Sequence, residues 1–292
     1  MLNNTRHYLI IIKPRIVFAN IIAVITGFLS ATNHIGSINY SILFTIIIGE
    51  TLIVSSACIF NNYIDMDIDR MMTRTKTRPL AAGLINVKHC LIYAILLGIS
   101  GIIILSYNVS KLSILLTIIA FIIYVILYSL YMKRHSIHAI LIGSISGAIP
   151  PLAGYYAVYN NYHLIPVMLF LIYSIWQIAH SYAINIFRLN DYQKAQIPIL
   201  PLKLGITITK IYILISIITF IISIIILFFI SSIKYYYLLI TTIVNLYWLL
   251  LAIIGCKNNN GSSTLWAKKI FIYSIITIIV FNIMLSIGTI DK

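Results

Sequence analysis

Long apolar segments alternate with short polar ones along the whole chain of 292 residues. Nine of the apolar segments are close to the roughly 20 residues that a helix needs to cross a bilayer. No polar stretch between them is long enough to fold as a soluble domain. The pattern therefore predicts an all-α, polytopic membrane protein with nine transmembrane helices, forming a single domain over residues 1–292. The predicted spans are 14–32, 39–62, 89–107, 112–131, 138–158, 163–186, 208–230, 234–255 and 269–289.

The composition agrees with this prediction. Hydrophobic residues make up 61% of the chain and charged residues only 9%, whereas a soluble domain carries roughly 25% charged residues. The mean hydropathy is +1.02. Because so few charges cannot cover a folded surface in water, the expected surroundings are a lipid bilayer.

The Lys and Arg residues are distributed very unequally between the two sides. With nine spans, 17 of the 20 fall on the side of the N-terminus, and only Lys111, Lys234 and Lys292 fall on the other. The positive-inside rule then predicts a cytoplasmic N-terminus and a periplasmic C-terminus. The net charge of +14 is explained by this topology, so we expect no nucleic-acid partner.

The first apolar span is too long for the core of a signal peptide, and the residues before it are too few for a typical mitochondrial transit peptide. These features favour a bacterial inner membrane.

Half of the six acidic residues lie in one short stretch, "NNYIDMDIDRMMTRTKTRPL", residues 61–80. Asn61, Asp65 and Asp69 are spaced by four, which places them along one side of a helix, and Asp67 should point away. Two carboxylates one turn apart repel each other unless a cation joins them. Mg²⁺ commonly binds one or two carboxylates together with substrate phosphates. The spacing therefore predicts Asp65 and Asp69 as ligands of Mg²⁺, helped by Asn61.

Cations follow these acids directly, and Arg74 and Arg78 are of the type that binds phosphate. The stretch therefore indicates a metal–diphosphate site at the cytoplasmic end of the second span. The alternative is an acidic helix end that its basic loop merely neutralises.

A second acidic region, "HSYAINIFRLNDYQKAQIPILPLKLG", residues 180–205, follows the sixth span on the same side. Asp191 is its only acid, and a third loop on this side is purely basic. We expect the acidic loops to form two halves of a clamp on one phosphorylated ligand. The further candidates for binding its phosphates are Lys133, Arg134, Arg188 and Lys194.

The first acidic stretch resembles the N-x-x-x-D-x-x-x-D motif of the UbiA-type intramembrane prenyltransferases, which have nine helices and acidic cytoplasmic loops. "YMKRHSIHAILIGSISGAIPPLAGY", residues 131–155, and "HSYAINIFRLNDYQKAQIPILP" are similar to the protohaem IX farnesyltransferase branch of that family. Aromatic-acid and quinone prenyltransferases of the family usually carry a second D-x-x-x-D. Here Ala195 stands four residues after Asp191, which fits the haem branch and puts a second full metal site in doubt.

This resemblance implies a bundle with a central cavity and a Mg²⁺-dependent transfer of farnesyl. The substrates would be farnesyl diphosphate and haem b, whose vinyl group gains farnesyl and water to give haem O. Asp65, Asp69 and Asp191 would be the catalytic residues. No protein partner is identified, although a terminal oxidase or a haem A synthase is compatible with the resemblance.

A haem substrate also makes His180 a candidate axial ligand. The alternative is a membrane histidine that only hydrogen-bonds to a neighbouring helix. Tyrosines near the helix ends could stabilise an allylic cation, or could only pack; they are Tyr63, Tyr131, Tyr155, Tyr156 and Tyr182.

Three other functions are compatible with a polytopic membrane protein of this kind. A quinone- or aromatic-type prenyltransferase of the same fold is disfavoured by the missing second motif. A cation-coupled transporter would place its site near the bilayer midplane, whereas these acids lie at the cytoplasmic edge. A purely structural subunit would not need two acidic regions with matched basic loops.

Small residues and prolines interrupt the fifth span, including Gly147, Gly154, Pro150 and Pro151. They predict either close helix packing or a kink that opens a pocket.

Overall fold

The computed structural model describes residues 2–231, 233–257 and 262–290. Throughout these ranges the secondary structure is helical, without a β-strand. The helices are α1 Leu2–Ile11, α2 Pro14–Ile35, α3 Tyr40–Ile64, α4 Met66–Met71, α5 Val87–Leu105, α6 Lys111–Ile122, a π-helical segment Ile123–Met132, α7 Lys133–His135, α8 Ala139–Tyr156, α9 Leu164–Phe187, α10 Leu189–Lys194, α11 Leu200–Lys203, α12 Ile206–Ser231, α13 Tyr235–Lys257 and α14 Ser263–Ile290.

Nine spans in the described ranges are long and apolar enough to cross a membrane. This confirms the predicted all-α, polytopic fold class. Eight spans are single helices, while the fourth joins α6, the π-helical segment and α7. The last span begins at Ser263, six residues before the predicted start at 269. Lys292, which the sequence placed on the far side, lies outside the described residues.

Helices α2 and α8 approach each other backbone to backbone. A Cβ atom on Gly27 would lie 1.8 Å from the Pro151 carbonyl oxygen, and one on Gly154 would lie 2.0 Å from the Val24 carbonyl oxygen. Without a hydrophobic drive between helices in lipid, small residues that allow such contact stabilise the pair. The close-packing interpretation therefore holds for Gly154.

Gly147, unlike Gly154, does not pack against a neighbouring backbone but faces a cavity inside the bundle. A Cβ atom at this position would lie 2.0 Å from Oε1 of Gln177 on α9. The missing side chain therefore leaves room for a polar amide inside the membrane. The interrupted span thus combines close packing with an opening.

The bundle has two halves with different roles. Helices α9, α12, α13 and α14 enclose the largest apolar core, in which Phe220, Trp248 and Phe281 are fully buried. The Phe220 and Trp248 rings meet edge to face with centroids 5.7 Å apart, an arrangement that aromatic pairs prefer. The cavity lies outside this core, mainly between α2, α3, α6 and α8.

Short helices cover one end of the bundle, which we call the acidic face because Asp65, Asp69 and Asp191 lie there. Ile68 and Met72, in and just after α4, pack on Ala195 and Ile197, which follow α10. This small apolar cluster joins two loops that are more than a hundred residues apart in sequence. The apolar pattern did not predict α4, α10 or α11, since each is only four to six residues long.

Candidate active site

The first acidic motif lies at a break between two helices. Helix α3 ends at Ile64 and α4 begins at Met66, with Asp65 between them at φ −86° and ψ 3°. The helical spacing of the motif continues across this break. The Asp65 amide donates to the Asn61 carbonyl at 2.9 Å, and the Asp69 amide donates to the Asp65 carbonyl at 2.7 Å. Asn61, Asp65 and Asp69 are therefore brought together, and all three are buried.

Asp65 is held by two donors through one of its oxygens. Asn61 Nδ2 and Lys133 Nζ reach Asp65 Oδ2 at 2.9 Å and 2.6 Å. Asn61 also donates to Ser129 Oγ at 2.9 Å, which fixes the amide. The other oxygen, Asp65 Oδ1, is buried without a hydrogen-bond partner. A buried carboxylate oxygen left unpartnered is costly, so this atom is available for a ligand.

Asp69 is held from the loop that follows it. Arg78 Nη1 donates to Asp69 Oδ2 at 2.6 Å, and the Thr75 hydroxyl donates to the Asp69 backbone carbonyl at 3.2 Å. The basic loop therefore folds back over the acidic motif. Arg78 lies at the acids, as its position in the sequence suggested, while its contact with phosphate stays a prediction.

Lys13 belongs to the same cluster, although sequence reasoning counted it only as a topological charge. Its ammonium donates to Asn61 Oδ1. Its backbone is left-handed, with φ 53°, and among the described residues only Gln196 shares this feature outside glycine. Such a conformation costs of order 1–3 kcal/mol and persists where the surroundings enforce it. Burial of the ammonium lowers the pKa of Lys13 to about 8, so a bound anion would favour its protonated form.

Arg134 forms an ion pair with Asp67. Its guanidinium donates to both oxygens of Asp67, at 2.6 Å and 2.7 Å. The Asp67 side chain is 59% exposed and points away from Asp65 and Asp69, as the spacing predicted. Hydrogen bonds from Arg134 lower the pKa of Asp67 to about 2. This pair links α7 to α4, and a role of Arg134 in binding phosphate stays a prediction.

Asp191 joins the two acidic regions. Its Oδ1 accepts the Thr73 backbone N–H at 3.0 Å, and Lys194 Nζ lies 3.5 Å from Thr73 Oγ1. The two loops therefore lie together, as the expected clamp requires. Arg74 and Arg188 are exposed at the same face, and their contacts with a ligand stay predictions.

His180 lies away from the acidic motif, between α9 and α14. Its Nδ1 is 2.7 Å from Ser274 Oγ, and its ring stacks on Trp176 and packs at a tilt on Phe271, with centroids 4.9 Å and 4.8 Å away. It does not line the cavity. These contacts match a histidine bonded to a neighbouring helix, and its role as a haem ligand stays a prediction.

A cavity begins just below the acidic motif and extends into the membrane. It is lined mainly by apolar side chains. The face of α3 that bears Asn61 continues along one wall of this cavity. Of the tyrosines, Tyr124 lines the cavity, and none of the five that the sequence suggested does so. The α3 residues that line it are Glu50, Ile53, Val54, Ala57 and Cys58.

The charges at the mouth of the cavity suit an anion bound together with a metal. Asp65 and Asp69 lie among Lys13, Lys133 and Arg78, which leaves a net charge of about one positive. A diphosphate ester carrying one divalent cation has about one negative charge at neutral pH. Because this match occurs above an apolar cavity, the arrangement suits a ligand with a diphosphate head and an apolar tail.

The sequence matches the model of the UbiA prenyltransferase family over residues 20–275. It is 45% identical over 282 residues to a protein from Cronobacter sakazakii named Protoheme IX farnesyltransferase, covering 97% of this chain and 94% of that protein. A protein of the same name from Photorhabdus laumondii subsp. laumondii is 46% identical, with 97% and 95% covered.

Two solved structures have a similar fold. A digeranylgeranylglyceryl phosphate synthase matches with a TM-score of 0.81 at 17% identity, covering 99% of this chain and 100% of that one. A UbiA homolog from Archaeoglobus fulgidus, bound to GPP and Mg²⁺, matches with a TM-score of 0.68 at 15% identity, covering 96% and 99%. At these identities the similarity is one of fold.

Replacing Lys13 tests whether it belongs to the site. We expect Lys13→Met to weaken the binding of a prenyl thiolodiphosphate about tenfold, the equivalent of about 1.4 kcal/mol, because one cation facing the anion is lost. Arg15→Met is the matched control, since it removes a charge from the same segment at an exposed position. The measurement is a binding titration in detergent with Mg²⁺. If the two variants lose the same affinity, Lys13 contributes only to membrane topology.

Replacing Asp191 separates its charge from its structural contact. Asp191→Asn keeps an oxygen that can accept the Thr73 N–H, whereas Asp191→Ala loses both oxygens. We expect Asp191→Asn to lower Mg²⁺-dependent activity at least about tenfold while the fold is retained, because the negative charge is what a ligand-facing role requires. Normal activity of Asp191→Asn beside a defective Asp191→Ala would mean that Asp191 only joins the loops.

Proposed function

The chain belongs to the UbiA prenyltransferase family, and we propose that within this family it farnesylates haem. It transfers the farnesyl group of farnesyl diphosphate to the vinyl group of haem b, with addition of water, and so makes haem O. The observation that carries this proposal is the similarity, along nearly the whole chain, to proteins named Protoheme IX farnesyltransferase.

Asp65 and Asp69 are the side chains that would hold Mg²⁺. The unpartnered Asp65 Oδ1 supports this assignment, as does the Mg²⁺ bound with GPP in the Archaeoglobus fulgidus homolog. No group of three His, Cys, Asp or Glu side chains gathers among the residues the structure describes. Two carboxylates completed by diphosphate oxygens are a usual environment for this ion. When bound, Mg²⁺ neutralises charge on the diphosphate.

The cations around these acids bind the diphosphate and stabilise it as it leaves. The bond between farnesyl C1 and the diphosphate oxygen breaks, and its electron pair stays with the oxygen. Lys133 and Arg78 bond to the two aspartates, and Lys13 bonds to Asn61 beside them. All three cations would meet the negative charge that develops. Donors fixed in advance at such a place stabilise the transition state without further rearrangement. Asn61 acts as a positioning residue, because its amide joins Lys13, Asp65 and Ser129.

The allylic cation that remains is attacked by the haem vinyl group. A carbon–carbon bond forms at farnesyl C1, and the positive charge moves to the vinyl carbon next to the macrocycle. Water adds there and releases a proton, which leaves a hydroxyl group. The apolar cavity restricts other water at this stage, and the ring of Tyr124 on its wall offers a π face to a cation.

The cavity below the acidic motif would take the farnesyl tail. Its upper end is one helical turn from the acidic motif, because Cys58 lines it three residues before Asn61. Its wall along α3 also includes Ile53, Val54 and Ala57. A slender hydrocarbon suits this space better than a macrocycle. Haem b would therefore present its vinyl group at the mouth.

The protein would lie in a bacterial inner membrane with the acidic face toward the cytoplasm. The excess of Lys and Arg on that side supports this orientation. The N-terminus would then be cytoplasmic and the C-terminus periplasmic.

The direct test is to incubate the purified protein with haem b, farnesyl diphosphate and Mg²⁺ and to determine the mass of the product. A gain of one farnesyl group and one water is expected. Unmodified haem from a folded protein that binds both substrates would contradict the proposal.

Isosteric substitutions test the metal assignment. We expect Asp65→Asn and Asp69→Asn each to lower turnover about a hundredfold or more, because each removes a carboxylate that faces the metal. Asp67→Asn is the matched control, and we expect a change of less than about threefold since Asp67 is exposed and turned away. Turnover at several Mg²⁺ concentrations checks this, and an Asp67→Asn defect as large as the others would refute it.

A further inference from the structure

Glu50 is a carboxylic acid in the middle of a transmembrane helix, and the chemistry described above does not use it. It lies on α3 and is 3% exposed. It lines the cavity, and the ion pairs formed by the described residues do not include it. Ionisable residues at such depth are costly and usually have a function.

The hydrogen bonds around Glu50 indicate that it is a neutral acid. Its carboxyl group is bonded to the Thr117 hydroxyl, which also lies 3.1 Å from the Ser113 carbonyl oxygen. A hydroxyl has one proton and cannot donate to both acceptors. All three groups are satisfied when Glu50 donates to Thr117 and Thr117 donates to Ser113. A neutral, hydrogen-bonded carboxyl group can contact an apolar ligand without the cost of burying a charge.

The position of Glu50 along α3 matches the end of a farnesyl chain. Glu50 and Asn61 are eleven residues apart on one straight wall, which at about 1.5 Å per residue is about 16 Å. The main chain of a farnesyl group has about eleven carbon–carbon bonds of about 1.5 Å, which project to about 14 Å when extended. A farnesyl group with its diphosphate at the acidic motif therefore ends at Glu50.

Beyond Glu50 the bundle is closed. Ile46, one turn further along α3, packs with Phe28 and Leu105 in an apolar cluster, and all three are fully buried. Gly49 adds no space, because a Cβ atom there would lie 2.4 Å from the Leu105 side chain. A longer chain would have to displace either this cluster or the Glu50 side chain.

The same distance argues against a direct part in the chemistry. The carbon–carbon bond forms at the diphosphate end of the chain, and the water adds to the neighbouring vinyl group. Both events occur about 16 Å from Glu50 along α3. A role for Glu50 must therefore concern the far end of the tail.

We infer that Glu50, held by Thr117, forms the floor of the tail cavity and limits the prenyl chain to fifteen carbons. This inference rests on the proposed function, since it assigns a tail to the cavity. Glu50 is a specificity-determining residue that touches the last isoprene unit of the donor. One more unit would add about four bonds, or about 5 Å, and would be excluded.

The test measures the binding of geranyl, farnesyl and geranylgeranyl thiolodiphosphates with Mg²⁺ and without haem. We expect Glu50→Ala to raise the affinity for geranylgeranyl relative to farnesyl at least about tenfold, because the floor recedes. Glu50→Gln keeps the length of the side chain, and we expect its ratio to be unchanged. Val54→Phe should act in the opposite direction and favour geranyl over farnesyl at least about tenfold, since Val54 lies one turn nearer to the acidic motif.

The outcomes separate this inference from the proposed function. Unchanged affinity ratios in both Glu50→Ala and Val54→Phe, with the variants eluting as folded protein, would overturn the inference alone. Glu50→Gln behaving like Glu50→Ala would also overturn it, because the acid and not its size would then matter. A wild-type protein that binds none of the three ligands would remove both the proposed function and the inference.

Discussion

Two carboxylates buried at the edge of a membrane have to be neutralised, and the acidic face is arranged around that need. Asp65 and Asp69 are 1% and 3% exposed, and an unpaired charge at such a place would be too costly to keep. Lys133 reaches Asp65 from the fourth span, and Arg78 reaches Asp69 from the loop after α4. Lys13 completes the cluster through Asn61. The same cations that neutralise these aspartates would bind a diphosphate, so one set of residues would serve both folding and function.

The two halves of the bundle have different structural roles, one forming the main apolar core and the other the cavity. The half formed by α9, α12, α13 and α14 buries large aromatic side chains in the main apolar core. The other half keeps its backbones close through Gly27 and Gly154 and leaves a cavity that begins under the charges. Charged side chains at the mouth and apolar side chains below it would bind the two ends of an amphiphilic substrate. An allylic cation formed at that boundary would be held near π faces and away from bulk water.

Much of the fold could be predicted from sequence, because the period and length of apolar segments are local properties. The nine spans were predicted in this way, and so was the outward orientation of Asp67, since four-residue spacing decides which side chains share a helix face. The contacts of Lys13 and Lys133 could not be predicted from the sequence, because their partners are 48 and 68 residues away. Lys13 was counted as a topological charge for that reason. Arg134 could not be assigned to Asp67 without knowing that α7 lies against α4. Clustering of acids does not predict a role for Glu50, although a single acid within an apolar span is itself a signal.

The central claim is that Asp65 and Asp69 bind a divalent metal together with a prenyl diphosphate. The most direct measurement replaces Mg²⁺ with Mn²⁺ and records the electron paramagnetic resonance spectrum of the protein with farnesyl thiolodiphosphate. We expect Mn²⁺ to bind when the ligand is present and its signal to be coupled to phosphorus nuclei of the ligand. Both properties should be lost in Asp69→Asn. Bound Mn²⁺ without phosphorus coupling, or binding that persists unchanged in Asp69→Asn, would contradict the claim.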